Sequence, residues 1–145
     1  MIVYTIGFTK KSLERFIGLV RGAGLKRVID VRLRNTSQLA GWSKYPDFAY
    51  LLREGFGLDY EHQPEFAPTD ELLDRYKKDR DWQRYESDFN SLLLRRSPVD
   101  AARSILKGEA ACLLCTEPAA DKCHRRLVAE YLARIGGQAV TIRHL

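Results

Sequence analysis

Ala110-Ala111-Cys112-Leu113-Leu114-Cys115-Thr116-Glu117-Pro118-Ala119-Ala120-Asp121-Lys122-Cys123-His124-Arg125-Arg126 is the stretch whose reading decides the fold. An apolar run ends at a polar elbow. Beyond the elbow, apolar residues return at helical spacing as Leu127, Val128, Tyr131, Leu132 and Ile135. A strand that is apolar on both faces needs cover on both, as a strand inside a parallel α/β sheet has. In such sheets ligands bind beyond the carboxyl ends of strands, against the N-terminus of the following helix. Between Cys115 and Arg126 this elbow carries two thiols, a carboxylate, an imidazole and two guanidiniums.

The rest of the chain repeats the alternation. Ile2 to Ile6 reads as a first strand. Ser12 is placed to cap a helix over Leu13 to Arg21, with Leu13, Phe16, Ile17 and Val20 on one face. Gly22 and Gly24 end that helix, and Arg27 to Arg32 reads as a second strand, which completes a βαβ unit. Leu33 to Tyr45 reads as a polar loop, and Pro46 opens a helix reaching about Glu54. Leu58 to His62 is a short third strand. Helices are expected over Asp70 to Lys78, from Asp81 to the Ser97-Pro98 break, and over Val99 to Leu106. Ala110 to Cys115 is the fourth strand, Lys122 to Ile135 the last helix, and Ala139 to Arg143 the fifth strand.

The expected fold is a single three-layer, Rossmann-like α/β domain over residues 1–145: a mainly parallel sheet of about five strands with helices on both faces. The right-handed crossover rule favours the order 3-2-1-4-5, which makes the first and fourth strands neighbours.

The 145 residues are 45% hydrophobic and 30% charged, with a formal net charge of +5. This length suits one domain that buries roughly two-thirds of its unfolded surface. No apolar run reaches the ~20 residues of a membrane span, and Met1-Ile2-Val3-Tyr4-Thr5 reads as strand rather than leader. A cytoplasmic location without membrane association is therefore expected. Three cysteines in such a chain point to thiol or metal chemistry before a disulfide framework. The modest positive charge favours phosphate-bearing partners.

On the last helix, Cys123 lies four residues before Leu127 and His124 four before Val128. Both are therefore expected in the first turn on the inward face, flanked by Arg125 and Arg126. A thiol there faces free backbone N–H groups, which favour the thiolate. Cys123 reads as a candidate nucleophile, with Glu117 and His124 as candidate proton carriers. The competing reading makes Cys123 a core residue, His124 a capping imidazole and Glu117 an arginine partner.

A zinc site built on Cys112-Leu-Leu-Cys115 is disfavoured, because residues three apart on a strand face opposite ways. No metal and no cofactor are expected, since nicotinamide, flavin and P-loop fingerprints are missing from the sequence. Gly7 and Thr9, on the turn after the first strand, read as a candidate anion cradle. Asp30 and Arg32 share a face of the second strand, as an ion pair or as site residues. Arg34, Trp42, Lys44 and Tyr45 mix charge and aromatic rings in a loop that either stacks bases or packs.

The chain resembles the domain of unknown function 488 family. The likeness rests on Tyr4-Thr5-Ile6-Gly7-Phe8-Thr9, Ile29-Asp30-Val31-Arg32, Ser37-Gln38-Leu39-Ala40-Gly41, Ala67-Pro68-Thr69-Asp70-Glu71-Leu72-Leu73, Tyr76-Lys77-Lys78, Leu113-Leu114-Cys115-Thr116-Glu117 and Cys123-His124-Arg125. It implies a compact α/β domain and brings no established activity. The positions it carries are Thr5, Gly7, Asp30, Arg32, Glu117, Cys123, His124 and Arg125. Many members have His where this chain has Phe8, so a role for that His does not transfer.

Three functions remain open on the sequence. The first is a hydrolase or group transferase acting on a small anionic, nucleotide-like substrate. In it Glu117, Cys123 and His124 are catalytic, and Thr5, Gly7, Thr9, Asp30, Arg32 and Arg125 bind substrate. The others are a nucleic-acid-associated module using the Arg34 to Tyr45 loop, and an interaction domain with a structural Cys-His-Arg cluster.

Overall fold

The computed structural model describes residues 1–36 and 41–145; Ser37 to Ala40, part of the expected loop and of the family likeness, lie outside the described residues. Ile2–Gly7 forms β1 and Leu13–Gly22 forms α1, where the Ser12 hydroxyl accepts the Arg15 N–H at 3.1 Å. Arg27–Asp30 forms β2. It stops two residues short of the expected Arg32, because the Arg32 amide and guanidinium both turn back to the Asp30 carboxylate. A helix over Asp47–Tyr50, α2, widens into a π-type turn over Leu51–Gly55. Then follow β3 at Asp59–His62, α3 at Asp70–Asp79 and α4 at Trp82–Arg96. Next come α5 at Val99–Lys107, β4 at Ala111–Cys115, α6 at His124–Gly136 and β5 at Thr141–His144. Thr69 and Asp81 cap α3 and α4 through the amides of Leu72 and Arg84. Among the described residues, no helix is long and apolar enough to cross a membrane.

All four strand pairings are parallel, and the order is β3-β2-β4-β1-β5. The class agrees with expectation, and β1 does neighbour β4, but β4 sits between β1 and β2 instead of outside β1. The crossover rule sets the handedness of a βαβ connection and leaves open whether it skips a position. β4 takes the central place because all five of its residues are buried and none is charged, so both its faces and both its edges are covered at no polar cost.

Residues alternate along β4 between two cores. Cys112 and Leu114 pack with Phe16, Val20, Phe48 and Leu52 under α1 and α2. Leu113 and Cys115 pack with Phe89, Leu93, Ile105, Leu127 and Val128 under α4, α5 and α6. The register sets Gly7 beside Cys115 and Asp30 beside Leu114. The carboxyl ends of β1, β4 and β2 therefore open on one edge, with the elbow in the middle.

Candidate functional site

The elbow is flanked on both sides. On the β1 side, Phe8 and Thr9 give their amides to the carbonyls of Cys115 and Thr116, each at 3.2 Å. Gly7 lies under the Glu117 carbonyl, and a Cβ built on Gly7 would overlap that oxygen. Arg125 was expected beside the buried face of the helix and is instead fully buried. It donates to the Glu117 carbonyl, to Pro118 O at 3.4 Å and to Thr5 Oγ1 at 3.3 Å. Thr5 Oγ1 also meets His144 Nδ1 at 2.6 Å. The turn leaves two carbonyls facing inward, and a guanidinium supplies the donors they need.

On the β2 side, Asp30 and Arg32 form a fork: Nε to Oδ1 at 2.9 Å and Nη2 to Oδ2 at 2.7 Å. The Tyr60 hydroxyl donates to Oδ2 at 2.5 Å, and Arg32 Nη2 also reaches Ser43 O at 2.9 Å. Burial and the Asp30 carboxylate push the Tyr60 phenol above its ordinary range, which keeps it a donor. The guanidinium lies 5.0 Å from the Phe8 ring centre. Its Nη1 is buried without a hydrogen-bond partner among the described residues.

Cys115, Cys123 and His124 meet between these flanks, only 5%, 3% and 6% exposed. The last helix starts at His124, so Cys123 is the extended residue before it and not in its first turn as expected. The Cys123 N–H instead closes a turn onto Ala120 O at 3.2 Å. His124 Nε2 is 2.7 Å from the Val31 carbonyl, and Nδ1 is 3.4 Å from Cys115 Sγ. A hydrogen bond from Cys115, with His124 and Arg125 nearby, holds Cys123 well below the ordinary thiol range against the effect of burial. Burial and the Cys123 thiolate push Cys115 well above it.

These groups border a hollow of about 360 Å³. Cys115, Cys123 and His124 line it together with the rings of Tyr76, Trp82 and Tyr85. Arg32, Arg34, Lys77 and Lys122 bring four cationic side chains to the lining against one carboxylate, Glu117. Arg34 pairs with Asp70, whereas Glu117 is exposed.

Of the residues singled out from the sequence, Arg32, Glu117, Cys123 and His124 line this space together. Asp30 lies behind Arg32. Thr5, Gly7, Thr9 and Arg125 are not among the lining residues; the Phe8 and Thr9 amides at the turn are already paired with the carbonyls of Cys115 and Thr116. Cys115 was missed. Its signal was its place as the last residue of an alternating strand, one face over from Cys112. Trp42 packs against Phe8, Phe16 and Phe48, and Tyr45 stacks on Tyr60 with centroids 6.0 Å apart.

No curated protein and no solved structure matches the chain. A family model described as "Domain of unknown function DUF488" matches residues 12–132. That span takes in α1, the fork on Arg32, the aromatic wall, the elbow and most of α6, and on it the chain belongs to the DUF488 family.

Proposed function

We propose that the chain is an enzyme, a hydrolase or group transferase, acting on a small anionic, nucleotide-like substrate in this hollow. One observation carries the reading: a sulfur and imidazole cluster, an aromatic wall and a cationic lining border the same space. About 360 Å³ lies within the roughly 300–1,000 Å³ typical of small-molecule sites. Tyr76 and Trp82 are half-buried and offer ring surface to a planar group. Arg32, fixed by its fork and by Ser43, faces an anion without loss of side-chain freedom. Cys123 and His124 supply the reactive groups, and Glu117 at the solvent-open rim moves protons. The rival nucleic-acid reading has less support, because the Trp42 ring already packs on three phenylalanines.

The test is a panel of nucleoside phosphates and their ester and acyl derivatives, followed for binding by calorimetry and for turnover by mass spectrometry. The expected result is turnover of at least one member, abolished in Glu117→Gln and Cys123→Ala while the circular dichroism spectrum is kept. Absence of millimolar binding by every member, or salt-steep binding of RNA in place of it, overturns the proposal.

A further inference from the structure

We infer that Cys115, Cys123 and His124 form a binding site for one Zn²⁺-class divalent cation in the lining of the hollow. The inference rests on the reading of that hollow as the reaction site and deepens it by naming what the sulfurs and imidazole hold.

The geometry of the ligand atoms comes first. One ligand atom from each residue lies within 4.8 Å of the other two. A tetrahedral ion at ordinary Zn–S and Zn–N lengths sets sulfurs about 3.8 Å apart and sulfur and nitrogen about 3.6 Å apart. Cys115 Sγ is 3.4 Å from His124 Nδ1, close to that separation, and 3.8 Å from Nε2, so it lies over the ring and metal binding requires the imidazole and the thiol to turn toward each other.

The imidazole is also set for the task. A carbonyl only accepts, so the 2.7 Å contact between His124 Nε2 and Val31 O requires the proton on Nε2. Neutral His124 then keeps its lone pair on Nδ1, the ring nitrogen nearer Cys115 Sγ. A metal-ligating histidine is held in this way, one nitrogen donating to a backbone carbonyl and the other free for the ion. Val31 continues from β2, so the tautomer is set by a strand and not by a mobile side chain.

The ligand set selects the ion. Two sulfurs and one imidazole favour zinc over magnesium or calcium, which take oxygen. Three protein ligands are one short of a tetrahedron, the arrangement of catalytic rather than structural zinc. All three residues line the hollow, so the fourth ligand comes from it as water or a substrate oxygen. With the cation bound, Cys123 acts as a ligand and not as the attacking group, and the chemistry is attack by a water activated on the metal. Cys112 takes no part, since it packs in the opposite core under α1 and α2.

The full chain, reduced and stripped with a chelator, is titrated with Co²⁺ while the visible bands of a tetrahedral site and the sulfur-to-cobalt charge-transfer band are recorded. One equivalent binds and Zn²⁺ displaces it. Cys112→Ala binds as the unaltered chain does. Cys115→Ala, Cys123→Ala and His124→Ala each weaken binding by more than about 100-fold, the upper range for loss of a mere outer-shell partner. Circular dichroism of each variant without metal checks that it folds; His124→Cys keeps a ligand and retains tetrahedral bands. Absence of the bands in the unaltered reduced chain overturns the site, and so does a Cys112→Ala loss equal to that of Cys123→Ala. Turnover that persists in chelator with no Co²⁺ binding overturns the metal alone. Stoichiometric Co²⁺ binding with no member of the nucleotide panel bound supports the metal and overturns the substrate reading.

Discussion

On the β1 side of the elbow, Arg125 is fully buried and its donors go to Glu117 O, Pro118 O and Thr5. On the β2 side, Arg32 is almost as deeply buried and forked to Asp30, yet it lines an open hollow beside Cys115, Cys123 and His124. Both arginines fix backbone: the first clamps the elbow, and the second straps the segment after β2 through Ser43. They differ in what is left over. Arg125 meets carbonyls that the turn would otherwise leave bare, whereas Arg32 keeps Nη1 without a partner among the described residues. A buried guanidinium is therefore not by itself evidence of a binding site; the space beside it decides.

The largest effect is expected from breaking the β2 side. Asp30→Ala leaves the Arg32 charge buried without its carboxylate, and stability should fall by about 3–5 kcal/mol in urea unfolding. A loss below about 1 kcal/mol would mean that the fork is not what holds Arg32. On the β1 side, Gly7→Ala forces a Cβ against the Glu117 carbonyl. The expected cost is near the upper end of the 1–3 kcal/mol range for overpacking, about 3 kcal/mol, again by urea unfolding. An unchanged midpoint would show that the elbow can shift, and the contrast between a closed and an open flank would fail. The smallest stability effect belongs to the rim of the hollow. Lys77→Glu and Lys122→Glu change exposed side chains and should stay within about 0.5 kcal/mol. Affinity for adenosine monophosphate, used as the probe, should fall about tenfold in each, equivalent to about 1.4 kcal/mol, by calorimetry. If affinity holds while stability drops, these lysines belong to the scaffold.

Much of the frame was legible before any coordinates. Ser12 is a cap because its oxygen meets the amide three residues on, a local matter, and Thr69 and Asp81 cap α3 and α4 in the same way. Alternation along Cys112 to Cys115 correctly parted the two thiols between faces. Helical spacing starts α6 at Lys122, two residues before the observed His124, since the pattern continues smoothly into a turn that the backbone closes on Ala120. Helical spacing sets Arg125 beside the inward face as a substrate-binding candidate, and it misses the clamp because the carbonyls Arg125 serves belong to the elbow, whose conformation no periodicity reports.

The amino-acid sequence by itself determined that strands and helices alternate, that β4 needs cover on both faces, and that Glu117, Cys123 and His124 follow its carboxyl end. Those are statements about neighbours along the chain, where spacing and side-chain chemistry suffice. Tertiary structure alone decided that β4 lies between β1 and β2, that Cys115 joins Cys123 and His124, and that Val31 sets the imidazole. The physical reason is that a periodic pattern reports which face of an element is buried and is silent about which element buries it.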